Sequence, residues 1–117
     1  TPDRRMSKLW IITEVSSMAK NGMRPVHPGE ILREDYLVDI GMSVNALAKA
    51  LKTPTSRMND IVLERRGVTA DTAMRLARYF DTTPQFWLAL QAEYDLRTAE
   101  IANAERVNAE VVPRSVA

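Results

Sequence analysis

The sequence predicts an all-α fold, a bundle of five helices of which the last is extended. Beyond residue 23, apolar residues recur at the three- and four-residue spacing of amphipathic helices. No interval there has the alternating pattern of a half-buried strand, and the whole chain has only four glycines. The connections between the apolar runs are about two to five residues long, which leaves little room for a sheet.

Length and composition indicate one folded domain. The chain has 117 residues, of which 45% are hydrophobic and 26% charged, an ordinary balance for a globular protein. The lack of cysteine excludes disulfides and cysteine-based zinc sites and is consistent with a cytoplasmic location. The longest apolar run near the start, LWII, is too short to span a membrane, so we expect no membrane partner. Because the net charge is only +1, binding to nucleic acid would need a local basic patch.

Residues 1–23 differ from the rest of the chain. Polar clusters surround one β-prone island, LWIITEV at residues 9–15, which favours a short strand. Met18 and Met23 are both plausible translation starts, so an origin upstream of the natural start or in an added tag stays open at this point. We interpret residues 1–23 as an N-terminal appendage, residues 24–105 as the folded domain and residues 106–117 as a C-terminal tail.

The first helix is expected to begin at the His27-Pro28 step. Proline suits the first helical position because its missing N–H is not needed there, which leaves the N-cap position to His27. The imidazole would then accept a hydrogen bond through an unprotonated ring nitrogen. As the only histidine in a chain without cysteine, His27 cannot form a common zinc site, so we predict a capping role. The predicted apolar face of this helix comprises Leu32, Tyr36, Leu37 and Ile40, and Gly41 ends it.

Ser43 and three threonines mark the starts of the remaining helices. Ser43 caps the second, Thr53-Pro54 opens the third, Thr69 caps the fourth and Thr83-Pro84 opens the fifth. The third helix is predicted to end in the loop ERRG. The apolar faces of helices two to four are, in order, Leu47, Ala48 and Leu51; Met58, Ile61 and Val62; and Ala73, Leu76, Ala77 and Phe80.

The fifth helix carries one apolar stripe at heptad spacing, interrupted by Arg97. The pattern favours docking of this stripe on the other four helices over a dimer seam. Both can hold along one helix, because its beginning lies near the bundle and its end a few turns away. The stripe comprises Trp87, Leu90, Tyr94, Ile101 and Ala104, and the first four of these are the candidates for a dimer interface.

The stretch SVNALAKALKTPTSRMNDIV has the pattern of a helix-turn-helix, two helices of about nine residues joined by a turn of three to four. On its second helix, Arg57 can contact guanine or phosphate, and Asn59 can pair with adenine. Thr55 and Ser56 can contact phosphate or a thymine methyl group. The predicted DNA-binding residues are Ser43, Lys52, Thr55, Ser56, Arg57, Asn59, Arg65 and Arg66.

The remaining residues do not support an enzyme. Ser16, Ser17 and Ser43 have no nearby base, carboxylates such as Glu93 and Asp95 do not share a helix face, and there is no phosphate-binding glycine loop. We therefore predict no enzymatic activity, no cofactor and no metal site. On spacing alone, both a DNA-binding surface and an ordinary solvated helix face stay open.

Three segments occur in order: MRPVHPGEILRED at residues 23–35, LAKALKTPTSRMNDIV at residues 47–62 and RRGVTADTAMRLARYFDTTPQFWLALQAEYDLRTAE at residues 65–100. Together they strongly resemble the HigA family of antitoxins, a branch of the Xre-type helix-turn-helix regulators. The resemblance covers about residues 23–100. It departs from the family at the N-terminus, where residues 1–22 precede the usual beginning.

The resemblance implies a five-helix bundle of the lambda-repressor-like helix-turn-helix type. It also implies a homodimer that represses its own promoter at a palindromic operator and neutralises a RelE-like HigB toxin, an endoribonuclease that cuts mRNA on the ribosome. The recognition-helix positions of the family correspond to Thr55, Ser56, Arg57 and Asn59. A stand-alone Xre-type repressor without a toxin, and a protein-interaction module that has lost DNA binding, are the alternatives.

Overall fold

The computed structural model describes residues 24–115, and this part of the chain contains helices and connecting segments but no strand. Helix α1 has three consecutive parts, Pro28–Ile31, Leu32–Leu37 and Val38–Ile40. The other helices are α2 (Val44–Leu51), α3 (Thr55–Val62), α4 (Ala70–Phe80) and α5 (Pro84–Glu110). The predicted all-α fold with an extended last helix is confirmed. The predicted strand at residues 9–15 lies outside the described residues.

One hydrophobic core, with Trp87 among its fully buried members, joins the five helices. The indole ring lies 5.3 Å from the ring of Tyr36 and 4.9 Å from that of Phe86, measured between centroids. Its Nε1–H donates to the hydroxyl of Thr82 at 2.8 Å, so the one polar group of the side chain is satisfied. The predicted apolar faces of α2, α3 and α4 are all buried in this core.

The middle of α1, Leu32–Leu37, is π-helical, and this changes which residues face the core. A π turn holds more residues than the 3.6 of an α-helix, so the residues after it are rotated away from their regular positions. Leu32, Tyr36 and Leu37 are buried as predicted, but Ile40 is exposed. The inclusion of Ile40 in the apolar face was therefore wrong. Gly41 ends the helix with a φ of 66°, as expected for a left-handed C-cap.

Side-chain caps define four of the five helix starts. The predicted caps are confirmed for Ser43, Thr69 and Thr83, whose hydroxyls accept hydrogen bonds from backbone N–H groups in the first turn. The Thr53-Pro54 step behaves differently, because Pro54 itself is the N-cap of α3 and α3 begins one residue later. The hydroxyl of Thr53 is buried and has no hydrogen-bond partner within residues 24–115.

His27 is buried and caps α1, as predicted. Its Nδ1 accepts a hydrogen bond from the backbone N–H of Gly29 at 2.9 Å, which requires that nitrogen to be unprotonated. Its ring meets the ring of Tyr94 edge to face at a centroid distance of 4.8 Å. Burial lowers the pKa of His27 below its ordinary value, although the carboxylates of Glu64 and Asp95 act in the opposite direction.

Helix α5 extends well beyond the core. Its buried residues are Phe86, Trp87 and Leu90, and every residue from Gln91 to the end of the helix is at least partly exposed. With 27 residues the helix is roughly 40 Å long at 1.5 Å per residue. It also continues across the predicted domain boundary at residue 105, ending at Glu110.

Candidate nucleic-acid interface

Helices α2 and α3 form the helix-turn-helix. They are joined by Lys52, Thr53 and Pro54, and Lys52 adopts a left-handed conformation with a φ of 58° that turns the chain after α2. Ala48, on the inner side of α2, is almost completely buried. Its small side chain allows the helices to approach closely, as the sequence pattern predicts.

Helix α3 has one buried and one accessible face. Met58, Ile61 and Val62 lie in the core, which fixes the rotation of the helix about its own axis. The predicted base-reading residues Thr55, Ser56 and Asn59 are exposed, and the side chain of Arg57 is 32% exposed. The structure therefore brings all four onto the accessible part of one helix, with Thr55 and Ser56 at its N-terminus.

The position of α3 depends on Gly29, which the sequence analysis did not single out. A Cβ atom at Gly29 would lie 1.8 Å from the carbonyl oxygen of Ile61, so only glycine permits this contact between α1 and α3. The available signal was a glycine in the first turn of a helix that already begins with proline, since glycine lowers helix stability there.

Arg33 holds the C-terminal end of α3 and was also missed. Its guanidinium donates a hydrogen bond to the carbonyl oxygen of Val62 and lies 3.5 Å from the carboxylate of Glu64. A cation at this end is favourable because the last carbonyl groups of a helix carry partial negative charge. The contact joins residues 29 positions apart, so no local pattern could have identified it.

Asp71 holds the Arg57 guanidinium. Arg57 Nη1 lies 3.2 Å from Asp71 Oδ2, and Arg75 Nε lies 2.9 Å from the same oxygen. Arg75 in turn donates through Nη1 to the carbonyl oxygen of Leu51 at 2.9 Å. The network links the end of α2, the start of α3 and the first turns of α4. Two members of this network, Arg57 and Asp71, line a cleft together with Arg66, Gly67, Thr69 and Thr72.

The other predicted DNA-binding residues differ in whether their polar groups already have a partner within the protein. Lys52 and Arg66 are exposed and have no ion-pair partner within residues 24–115. Arg65, by contrast, pairs with Asp60 at 2.9 Å. Ser43 is exposed, and its hydroxyl oxygen already accepts a hydrogen bond from the N–H of Ala46. The cationic groups that remain available are thus fewer than the sequence suggests.

The loop that contains Arg65 and Arg66 is fixed to α5 by Gln91. Its Oε1 accepts a hydrogen bond from the backbone N–H of Val68 at 2.7 Å. A Cβ at Gly67 would approach the Gln91 side chain to 3.0 Å, so the absence of a side chain there allows this close packing. The hydrogen bond spans 23 positions of the chain and was not predicted.

The four candidates for a dimer interface do not lie in one environment. Trp87 and Leu90 are 0% and 1% exposed within a single chain, so they offer no surface to a second copy, and their assignment to the interface was wrong. Tyr94 is half-buried and contacts His27. Ile101 is 61% exposed, and its role stays a prediction.

Known proteins share this architecture and much of this sequence. A Pseudomonas aeruginosa antitoxin HigA, solved with the higBA promoter, superposes with a TM-score of 0.76 at 52% identity, over 79% of this chain and all of that one. Antitoxin HigA-1 of Vibrio cholerae is 36% identical over 80 residues, which is 68% of this chain and 74% of that protein. The chain belongs to the HigA family of antitoxins. A further relative of this HigA-family chain, virulence-associated protein I of Dichelobacter nodosus, is 59% identical over 81 residues, 69% of this chain and 75% of that protein.

Membership in the HigA family confirms the predicted helix-turn-helix fold and the prediction of a regulatory protein that is not an enzyme. No model of a protein family matches the chain. Within residues 24–115, no helix is both long and apolar enough to cross a membrane. The roles of individual residues at the DNA remain predictions, and they rest on the geometry of α3.

Proposed function

We propose that this HigA-family antitoxin represses its own operon in the cytoplasm, binding a palindromic operator as a homodimer, and that it also binds and neutralises a HigB-like endoribonuclease toxin. The observation that carries the DNA-binding part is the accessible N-terminal part of α3, on which Thr55, Ser56, Arg57 and Asn59 are presented by a helix fixed at both ends. The relation to an antitoxin solved with its promoter supports it.

The polar residues of α3 can make the two kinds of contact that operator binding requires. The guanidinium of Arg57 can bind the O6 and N7 atoms of guanine, and the amide of Asn59 can bind the N6 and N7 atoms of adenine. Thr55 and Ser56, at the helix N-terminus, are suited to phosphate contacts. Lys52 and Arg66 add positive charge beside this surface and would contact the sugar-phosphate backbone without reading sequence.

A dimer places two copies of α3 on the two halves of a palindrome. Successive major grooves on one side of DNA require the two helices to lie about 34 Å apart. The distal half of α5, which includes Ile101, supplies exposed apolar surface on which two copies could pair. Trp87 and Leu90 remain in the core of each protomer.

Binding to the protein's own upstream region tests the DNA-binding part. In a gel shift, we expect a sequence-specific complex whose affinity falls as salt rises, because phosphate contacts release counterions. A complex that forms equally well on unrelated DNA, or none at all, would contradict repression and leave a protein-interaction module.

Arg57→Ala locates the reading surface. We expect it to weaken binding to the operator by about 1–3 kcal/mol, the range for one good base contact, while the melting temperature stays close to that of the wild type. Wild-type affinity of this variant for the operator would place the base contacts elsewhere.

Co-expression with the adjacent small open reading frame tests the toxin. We expect the neighbour's product to inhibit growth alone, to be tolerated with this protein, and to co-purify with it. Specific operator binding without rescue or co-purification would instead identify a stand-alone repressor.

A further inference from the structure

We propose that Asp71 is a positioning residue for base reading, holding the Arg57 guanidinium in the orientation that contacts the operator. The inference rests on the proposed operator binding. Asp71 lies on α4, outside the recognition helix, and its side chain is 57% exposed. Because its carboxylate contacts the Arg57 guanidinium, Asp71 needs no contact of its own with DNA to affect which base Arg57 selects.

The geometry leaves Arg57 able to bind a base while Asp71 holds it. A guanidinium has five N–H donors in a rigid plane, and Asp71 occupies the donor group at Nη1. The donors at Nε and Nη2 make no other hydrogen bond within residues 24–115. A bidentate contact to guanine needs two donors, so one edge of the group can be held by protein and another can face DNA.

Asp71 is itself held in place. Arg75 donates to the same carboxylate oxygen that Arg57 contacts, and the Arg75 side chain is fixed at its other end by the carbonyl oxygen of Leu51. Arg75, and then Arg57, hold the pKa of the Asp71 carboxyl below its ordinary value, so this group carries its charge at neutral pH. The recognition arginine thus ends on a carboxylate that the neighbouring helices orient.

Asp71 stabilises specific binding because it orients the Arg57 side chain before DNA is bound. A free arginine side chain loses rotamer freedom when it binds a base, and that loss weakens binding. Where the protein already orients the guanidinium, the arginine side chain loses less rotamer freedom when it binds the correct base. At the same time, the negative charge of Asp71 weakens general attraction to phosphates. Asp71 should therefore favour specific over non-specific binding.

The experiment compares base discrimination position by position. Duplexes carrying the protein's own operator, with each base pair of one half-site substituted in turn, are titrated with full-length protein. Discrimination at a position is the affinity for the unchanged operator divided by the affinity for the duplex substituted there. Arg57→Ala identifies the base pair that Arg57 reads, since discrimination is lost there. Asp71→Ala should lower discrimination at that same position by about fivefold, in the range seen between members of one ion-pair network, and leave the other positions unchanged.

Asp60→Ala is the matched control. It removes a carboxylate that also pairs with a predicted DNA-binding arginine, since Asp60 pairs with Arg65 as Asp71 pairs with Arg57. Both variants should bind unrelated DNA more tightly, because each removes one negative charge. Only Asp71→Ala should lose discrimination at the position that Arg57 reads. Equal losses there in the two variants would overturn the proposal.

The double variant Arg57→Ala/Asp71→Ala decides whether Asp71 acts through Arg57. If it does, the double variant discriminates no worse than Arg57→Ala alone. A further fivefold loss, or unchanged or improved discrimination in Asp71→Ala, would overturn the inference. Melting curves check that each variant is folded, and Asp71→Asn, which keeps a neutral acceptor, should shift discrimination in the same direction by less. If the wild type itself fails to distinguish its operator from unrelated DNA, the proposed function fails instead.

Discussion

Helix α5 has two segments with similar spacing of apolar residues but very different surroundings. In the first segment, residues 84–90, Trp87 and Leu90 are 0% and 1% exposed within one chain. In the second segment, residues 91–110, Ile101 is 61% exposed although it lies on the same stripe. Helical periodicity therefore shows that one side of a helix is apolar, but not which surface covers it. The first segment belongs to the core of the protomer, whereas the second segment is available to a partner.

The largest expected effect lies in the first segment. Trp87→Ala removes a fully buried indole together with its hydrogen bond to Thr82, and we expect it to lower the free energy of unfolding by about 3–5 kcal/mol. Leu96→Ala, in the second segment, should change it by less than about 0.5 kcal/mol. Chemical denaturation of both variants makes the comparison. Similar losses in the two variants would mean that the two segments are not distinct.

Gln91 lies where the second segment begins, and we expect an intermediate effect from its replacement. Gln91→Ala leaves the partly buried N–H of Val68 without its acceptor, which costs about 1–3 kcal/mol of unfolding free energy. Hydrogen exchange at the Val68 amide should also become faster, because this N–H would no longer be protected by a hydrogen bond. Wild-type stability and wild-type exchange together would show that the loop does not depend on α5.

His27 contacts Tyr94, near the start of the exposed part of α5, and its burial there predicts that stability depends on pH. Burial lowers the pKa of folded His27, so between that lowered value and about 6.5 the unfolded chain binds more protons than the folded one. The free energy of unfolding should therefore fall as pH is lowered through this range and be fully retained above it. His27→Asn keeps a capping side chain that does not titrate. Denaturation across pH should show a flatter profile for this variant, and parallel profiles would contradict the assignment.

The smallest effect on stability, but a large one on assembly, is expected in the second segment. Ile101→Glu should leave the folding of the protomer unchanged, because Ile101 is exposed, yet it would place like charges together in the proposed dimer seam. Sedimentation should then detect monomers. Leu96→Glu is the matched control, since Leu96 is about as exposed but lies off the stripe. A dimer that survives Ile101→Glu and dissociates in Leu96→Glu would move the seam to the other face.

Local features of the fold could be predicted because short-range chemistry determines them. Caps at His27, Ser43, Thr69 and Thr83 depend on residues two or three positions away, and the buried faces of α2, α3 and α4 follow from helical spacing. Even the acceptor role of the His27 ring followed from the need to satisfy a first-turn N–H.

Long-range contacts could not be predicted in the same way. The pairing of Arg57 with Asp71 crosses 14 positions and depends on how α4 packs beside α3, which no spacing reveals. The π turn in α1 was also missed, since the sequence LREDYL is compatible with a regular helix, and Ile40 was misplaced as a result. The candidate site was thus identified by its residue types, whereas the contacts that hold those residues were found only in the structure.

The backbone contact between Gly29 and Ile61 bears on how this protein can vary. Where two helices meet through side chains, each substitution alters their separation, so the geometry drifts as the sequence changes. Here α1 meets the carbonyl of Ile61 with no side chain in between, and the atoms that set the distance belong to the backbone. As long as Gly29 is kept, this point of contact holds α1 and α3 at one separation, and substitutions on the accessible face of α3, which take no part in the contact, can alter base preference without moving the helix.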